Sequence, residues 1–147
     1  MKLTTIVLGL DGSKGSESAC RWCAGLALMS GAQVVAVHGL GALPEFVLSL
    51  PPSRLGPWKR ELQEAIHRWC EPLRAAGVPH REELVEHNPV EAVLGVADKE
   101  NADMILVGAQ GDGGPVHRLL GGVTYKIAHH AHRPVVIVPS DYESRSA

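Results

Sequence analysis

Six glycines fall between positions 108 and 122, where the apolar run DMILVGA (103–109) gives way to the helical pattern GVTYKIAHHAH (122–132). Their spacing, Gly108-x2-Gly111-x9-Gly121-Gly122, leaves the main chain uncovered just where a helix begins. The first amides of a helix have no intrahelical acceptor and sit at the positive end of its dipole, so an anion such as phosphate is their natural partner. Glycine lets that anion come close because no Cβ stands in the way. A nucleotide would then lie with its ribose near Gly108 and Gly111 and its phosphates over Gly121, Gly122 and Val123. The same glycines also suit a permissive connector. The stretch is neither the dinucleotide fingerprint GxGxxG nor the Walker sequence GxxxxGK[ST], since no lysine directly follows the glycines.

Other reactive residue types carry weaker signals. Cys20-Arg21-Trp22-Cys23 has the spacing of a redox pair, yet such pairs sit at a helix N-terminus, where the thiol pKa is lowered. This one lies about two turns into a helical pattern, on its apolar stripe, and is expected to pack in the core. A zinc site would need further ligands nearby. His129 and His130 point to different helix faces, and with His132 they read as a solvated helix end. His38 reads as a hydrogen-bonded strand-end histidine, and Glu82, Glu83 and Glu86 as a solvated edge.

The elements that must position the glycine loop are legible from period and punctuation. TTIVLGL (4–10) is a strand covered on both faces. Ser13 or Ser16 can cap a helix with apolar positions Ala19, Cys20, Cys23, Leu26 and Ala27, which Gly31 is placed to end. QVVAVHGL (33–40) is a second strand, followed by a loop rich in Pro and Gly up to Pro57. From Trp58, the positions Leu62, Ile66, Trp69 and Leu73 form one helical stripe closed by Gly77-Val78-Pro79. HREELVEH (80–87) is an edge strand; Asn88 caps a third helix with Pro89 at its first position, running to about Glu100. PVVIV (134–138), after the helix of 122–132, is the fifth strand.

Strands alternating with helices imply an α/β fold, a doubly wound five-stranded parallel sheet with helices on both faces. With strand 1 central, strands 2 and 3 on one side and 4 and 5 on the other, the order is 3-2-1-4-5. Ligands of such sheets bind beyond the carboxyl ends of the strands where the winding reverses. That crevice, between strands 1 and 4, puts Asp11 and the 108–122 loop at one rim.

Composition is consistent with this. The 147 residues suit one domain, 1–140, with a short tail at 141–147, and 45% hydrophobic with 20% charged residues is ordinary globular usage. No run approaches the roughly 20 apolar residues of a membrane span. A net charge of -2 and six scattered aromatic residues offer nucleic acid neither a basic footprint nor a stacking platform. An odd three cysteines without framework spacing suit a reducing compartment, and a cytoplasmic location is expected.

The pattern G-x2-G-x9-G, placed after a strand like DMILVGA and before a helix and PVVIVP, resembles the universal stress protein family, as do the opening IVLGLDGS, the AVHGL segment and the ending HHAHRPVVIVP. The resemblance spans almost the whole chain. It implies a Rossmann-like fold of the adenine-nucleotide α-hydrolase type, a homodimer and, in one branch, ATP bound by the glycine loop. By position, Asp11 and Gly39 would line the adenine end, Gly108 and Gly111 would meet the ribose and first phosphate, and Gly121, Gly122 and Val123 would hold the distal phosphates. Thr124 would offer a hydroxyl nearby.

Gly122 stands where the family usually has Ser or Thr. A hydroxyl donating to a charged oxygen contributes roughly 1.5 to 3 kcal/mol, so its loss predicts binding weaker by about ten- to a hundredfold. Asp112 would repel a triphosphate unless a divalent cation such as Mg2+ bridges the two. The expected function is therefore a nucleotide-binding dimeric switch in a stress response, with ATP as ligand and the final strand pairing across the dimer. The alternatives are the same fold acting through protein contacts without nucleotide, cyclic AMP in the pocket, or an ATP-using enzyme of the related hydrolase fold. Only Asp11 and Asp112 near the loop could serve as a catalytic base, so slow ATP hydrolysis is compatible with the sequence and efficient turnover is not expected.

Overall fold

The computed structural model describes residues 1–41, 45–110 and 120–142. In chain order the elements are β1 (Thr5–Gly9), α1 (Lys14–Ser30), β2 (Gln33–Gly39), α2 (Glu45–Leu48), α3 (Pro52–Trp69), α4 (Glu71–Ala75), β3 (His80–Val85), α5 (Pro89–Lys99), β4 (Met104–Gly108), α6 (Gly122–His130) and β5 (Val135–Val138). The strands form one sheet of order β3-β2-β1-β4-β5, every neighbouring pair parallel. Val7 sits at the centre, paired with Val35 on β2 and Ile105 on β4. The expected fold class and strand order are those observed.

Alternation along the central strands divides the core between two faces. Ile6, Leu8, Val34, Ala36 and Leu106 pack with Cys20 and Cys23 of α1 and with Ile66, Cys70 and Leu73 of the α3–α4 arm. Val7, Val35, Val37, Ile105 and Val107 pack with Ala92, Val93, Val96 and Ala97 of α5 and Ile127 of α6. The helices before β2 and β3 thus cover one face, and those before β4 and β5 the other. The winding reverses between β1 and β4.

Several boundaries differ from the sequence reading. The loop expected to reach Pro57 contains α2 and the first turn and a half of α3. Pro52 occupies the first turn, where its missing N–H is no loss. Pro57 lies inside the helix and removes only the intrahelical donor to Ser53, which is exposed and open to water. The stripe from Trp58 to Leu73 is not one helix, because Pro72 would clash with the carbonyl of residue 68 in a continuous helix. The chain breaks at Cys70 (φ -86°, ψ 6°) and resumes as α4 with Leu73 still buried. The final helix stops at His130, with Ala131 already extended ahead of Pro134. The caps are as expected: the Ser13 side chain accepts from the Ser16 amide, Asn88 accepts from the Glu91 amide, and Gly31 closes α1 at φ 77°.

Candidate functional site

A cleft of about 360 Å3 opens at the carboxyl ends of β1, β2 and β4, at the reversal point. Its wall is apolar, formed by Val37, Val93, Val107 and Ile127, and its rim carries the first residues of α1, α5 and α6. Strands ending in small residues, Gly9, Gly39 and Gly108, let these helices start close to the sheet. A Cβ on Gly39 would stand 2.7 Å from Pro89 Cα, and one on Gly108 would stand 2.5 Å from the carbonyl carbon and oxygen of Gly15. Gly39 and Gly108 therefore lack side chains because neighbouring backbone occupies that space, and they line the cleft through their main chain.

Asp11 follows β1 at the rim, exposed, with Oδ1 accepting the Ser13 amide at 2.9 Å. The turn beneath it is held from the other face. His38 Nδ1–H donates to the Leu10 carbonyl at 2.7 Å, and the Trp69 indole meets the His38 ring edge-on at 5.2 Å between centroids. Gly12 takes φ 80°, and Trp69 Cζ2 lies 2.5 Å from where its Cβ would be. A side chain at residue 12 would be strained twice, by conformation and by contact.

The N-terminus of α6 forms the opposite part of the rim. Gly121 is its N-cap (φ -61°, ψ 155°) and provides no side-chain cap. Its own amide donates to the Ala109 carbonyl at 2.8 Å. Thr124 is buried, and its hydroxyl donates to the Gly108 carbonyl at 2.6 Å. These two bonds tether the helix to the end of β4, and both donors are engaged. Gly121 and Thr124, expected to hold the distal phosphates and to offer a hydroxyl nearby, thus stand at the rim with the Gly121 amide and the Thr124 hydroxyl bonded to the end of β4. The amides of Gly122, Val123 and Thr124, in the first turn, precede the first intrahelical bond, which Tyr125 N–H makes to the Gly121 carbonyl. They are the donors α6 offers the cleft. A Cβ on Gly122 would meet nothing within 4 Å, so the space for a longer side chain is present. Gly111 lies outside the described residues, as does Asp112.

The structure thus gathers Asp11, Gly39, Gly108, Gly121, Gly122, Val123 and Thr124 around one cleft. Sequence reasoning missed Gly15 and the wall of Val37, Val93, Val107 and Ile127. Gly15 had a readable signal, since glycine in a first helical turn costs about 1 kcal/mol against alanine unless close packing requires it.

The other reactive residues lie elsewhere. Cys20, Cys23 and Cys70 are free thiols buried in one core cluster. Burial pushes the Cys20 thiol up to about 11 and that of Cys70 to about 12, and raises Cys23 as well. They are far from the reactive thiolate state at neutral pH. His129 and His130 are exposed at the end of α6, and no group of three potential metal ligands occurs among the described residues. Among those residues no helix is long and apolar enough to cross a membrane.

Fold and cleft together define a doubly wound α/β protein with an apolar pocket where the winding of its sheet reverses. The model of the universal stress protein family matches residues 2–139, and the chain belongs to that family. It is 31% identical over 135 residues to a universal stress protein of Thermus aquaticus, covering 91% of this chain and 97% of that one. Among solved structures it is similar to a universal stress protein in complex with cAMP, at 25% identity and TM-score 0.74, covering 96% of this chain and all of the other. Its fold also matches the universal stress protein from Archaeoglobus fulgidus in complex with dAMP, at 23% identity and TM-score 0.68, covering 93% of this chain and 98% of that one.

Proposed function

We propose that the cleft binds an adenine nucleotide, with the base against Val37, Val93 and Val107, the ribose near Gly108, and phosphate on the amides of Gly122 and Val123. ATP enters as its Mg2+ complex. The carrying observation is the start of α6, which has no side-chain cap from Gly121 and presents first-turn main-chain amides at the mouth of an apolar pocket of nucleotide-compatible size. A second reading, cyclic AMP in the same cleft, is favoured by the complex formed by the similar protein. Isothermal titration with Mg-ATP and with cyclic AMP tests both. Mass spectrometry of small molecules released from denatured, freshly purified protein tests what the pocket holds. No heat and no thermal shift with either ligand at millimolar concentration would leave the fold acting through protein contacts alone.

The output is a change in shape or partner affinity rather than efficient hydrolysis. In support, Asp11 already accepts an amide through Oδ1, and no other carboxylate lines the described part of the cleft. Steady-state phosphate release tests this. The working unit is a cytoplasmic homodimer. β5 is the outermost strand, pairs only with β4 in the sheet, and leaves Val135, Val136 and Ile137 only partly buried. Pairing with its twin across a two-fold axis removes that open edge. Size-exclusion chromatography with light scattering is expected to report twice the 15.7 kDa chain mass; the single-chain mass at micromolar concentration overturns the dimer.

A further inference from the structure

A second pocket, of about 290 Å3, lies between the first turns of α1 and the break where α3 gives way to α4. Leu10, Ser13 and Ser16 line both it and the cleft, so the β1–α1 turn is a wall shared by the two. Trp69 and Pro72 line only the second pocket, which is therefore a separate space. Its charged lining is two arginines and two glutamates, Arg21, Arg68, Glu17 and Glu71. Three of the four are engaged: Glu17 accepts from Arg21 at 2.7 Å, and Glu71 accepts at 2.7 Å from Arg74, which lies outside the lining. The Arg68 guanidinium has no ion pair or hydrogen bond among the described residues. The Trp69 indole N–H has no acceptor among them either, and Nε1 lies 3.2 Å from where a Cβ on Gly12, another lining residue, would stand.

Two uncommitted donors, one of them fully charged, thus line a pocket whose own carboxylates are held by other arginines. The chemical complement is a single negative charge spread over two acceptor oxygens, carried on a flat apolar body. We propose that this pocket binds a small organic monocarboxylate, its carboxylate accepting from the Arg68 guanidinium and the Trp69 indole N–H and its apolar part lying against Leu10 and Pro72. The volume suits a ligand of one ring. Glu17 and Glu71 at the same pocket repel ligands that carry several negative charges. The assignment does not depend on nucleotide binding in the cleft.

The experiment is titration of the full chain with benzoate at low ionic strength, read at the assigned indole N–H signals in proton–nitrogen NMR spectra. The Trp69 signal is expected to shift saturably with a millimolar Kd, while those of Trp22 and Trp58 stay in place. Benzyl alcohol keeps the ring without the charge, and acetate keeps the charge without the ring. Each is expected to bind at least about fivefold more weakly than benzoate. Arg68→Gln, at an exposed position, is expected to weaken benzoate about fivefold and to leave benzyl alcohol unchanged. No shift of the Trp69 signal at about 10 mM benzoate overturns the site. Benzoate affinity unaltered in Arg68→Gln, or no greater than that of benzyl alcohol, overturns the carboxylate's partners. Acetate binding as tightly as benzoate overturns the role given to the apolar wall.

Discussion

Two helices, α1 and α6, begin at the same cleft from N-caps of nearly the same extended conformation, Ser13 at φ -75°, ψ 166° and Gly121 at φ -61°, ψ 155°. Their ends are treated in opposite ways. At α1, the Ser13 hydroxyl accepts the Ser16 amide at 3.2 Å, Asp11 takes the Ser13 amide, and Gly15 is pressed against the Gln110 carbonyl. At α6, no side chain caps the helix, and Gly122 faces open space. An uncapped helix start forgoes stabilisation of a few tenths to about 2 kcal/mol that Ser, Asp or Asn would provide. Similar backbone geometry at the two starts thus carries different caps: the one at α1 is closed by side chains, and the one at α6, where we propose that phosphate binds, has no side-chain cap from Gly121.

The anchored side breaks most easily at Gly15. A Cβ there would lie 2.0 Å from the Gln110 carbonyl oxygen, a backbone atom with no freedom to swing aside. Helix propensity alone predicts that Gly15→Ala stabilises by about 1 kcal/mol. Close packing predicts the reverse, a loss of about 3 kcal/mol as α1 and the end of β4 are pushed apart. Urea unfolding decides between signs as well as sizes. A variant as stable as the parent would mean that α1 is not held as tightly to β4 as this packing requires.

The open side is expected to respond in affinity. Gly122→Ser adds a hydroxyl where a Cβ meets nothing within 4 Å and at a residue with no positive φ. The expected outcome is about tenfold tighter nucleotide binding by titration calorimetry, with stability changed by less than about 0.5 kcal/mol. An unchanged affinity would place the phosphate away from the start of α6.

The anchoring of α1 continues beneath its cap in the buried thiols, and that part is sensitive to alkali. Cys20 and Cys70 are raised by burial from the ordinary 9.0 to about 11 and about 12. Below pH 9 both the folded and unfolded chains hold these protons, and the stabilisation is complete. As pH rises past 9 the unfolded chain releases them while the folded chain does not, so stability falls until the folded thiols ionise near 11 to 12. At pH 10 the loss is about 1 kcal/mol per thiol. Urea midpoints at pH 8 and 10 measure it, and Cys20→Ala is expected to flatten the slope. An equal slope in that variant would mean that other groups govern the alkaline limb.

The two helix starts also explain what could be read in the sequence. β-branched runs such as TIVLG and MILVG, bounded by glycine and asparagine or serine punctuation, fixed strand identity, because strands buried on both faces admit few polar residues. Parallel order then followed from alternation with helices. Proline misled at 51–57, since the same residue breaks a helix interior and opens a helix start, and only position within the element separates these roles. It was overlooked at Pro72, where it does break one. At the site, the glycines announced an uncovered main chain, but not which amides remain open. That depends on Gly121 N–H meeting Ala109 and the Thr124 hydroxyl meeting Gly108, contacts across β4 and α6 that no local pattern encodes. Nor does spacing distinguish a glycine that faces a ligand from Gly39 or Gly108, which makes room for a neighbouring backbone.

The smallest expected effect tests the contrast most directly, by making the open start resemble the closed one. Gly121→Ser installs at α6 the residue type that caps α1, at an N-cap whose dihedral angles serine readily adopts. Its hydroxyl oxygen accepts the amide of Val123 or Thr124, as Ser13 accepts that of Ser16. Since glycine is itself a tolerable cap, the gain in stability is a few tenths of a kcal/mol, read as a small rise in melting temperature. The same hydrogen bond competes with phosphate, so nucleotide affinity is expected to fall two- to threefold. Stability and affinity moving in opposite directions is the signature of a cap held open for a ligand. A variant in which both rise would show that the hydroxyl reaches the phosphate instead, and that capping and binding at α6 are not rivals.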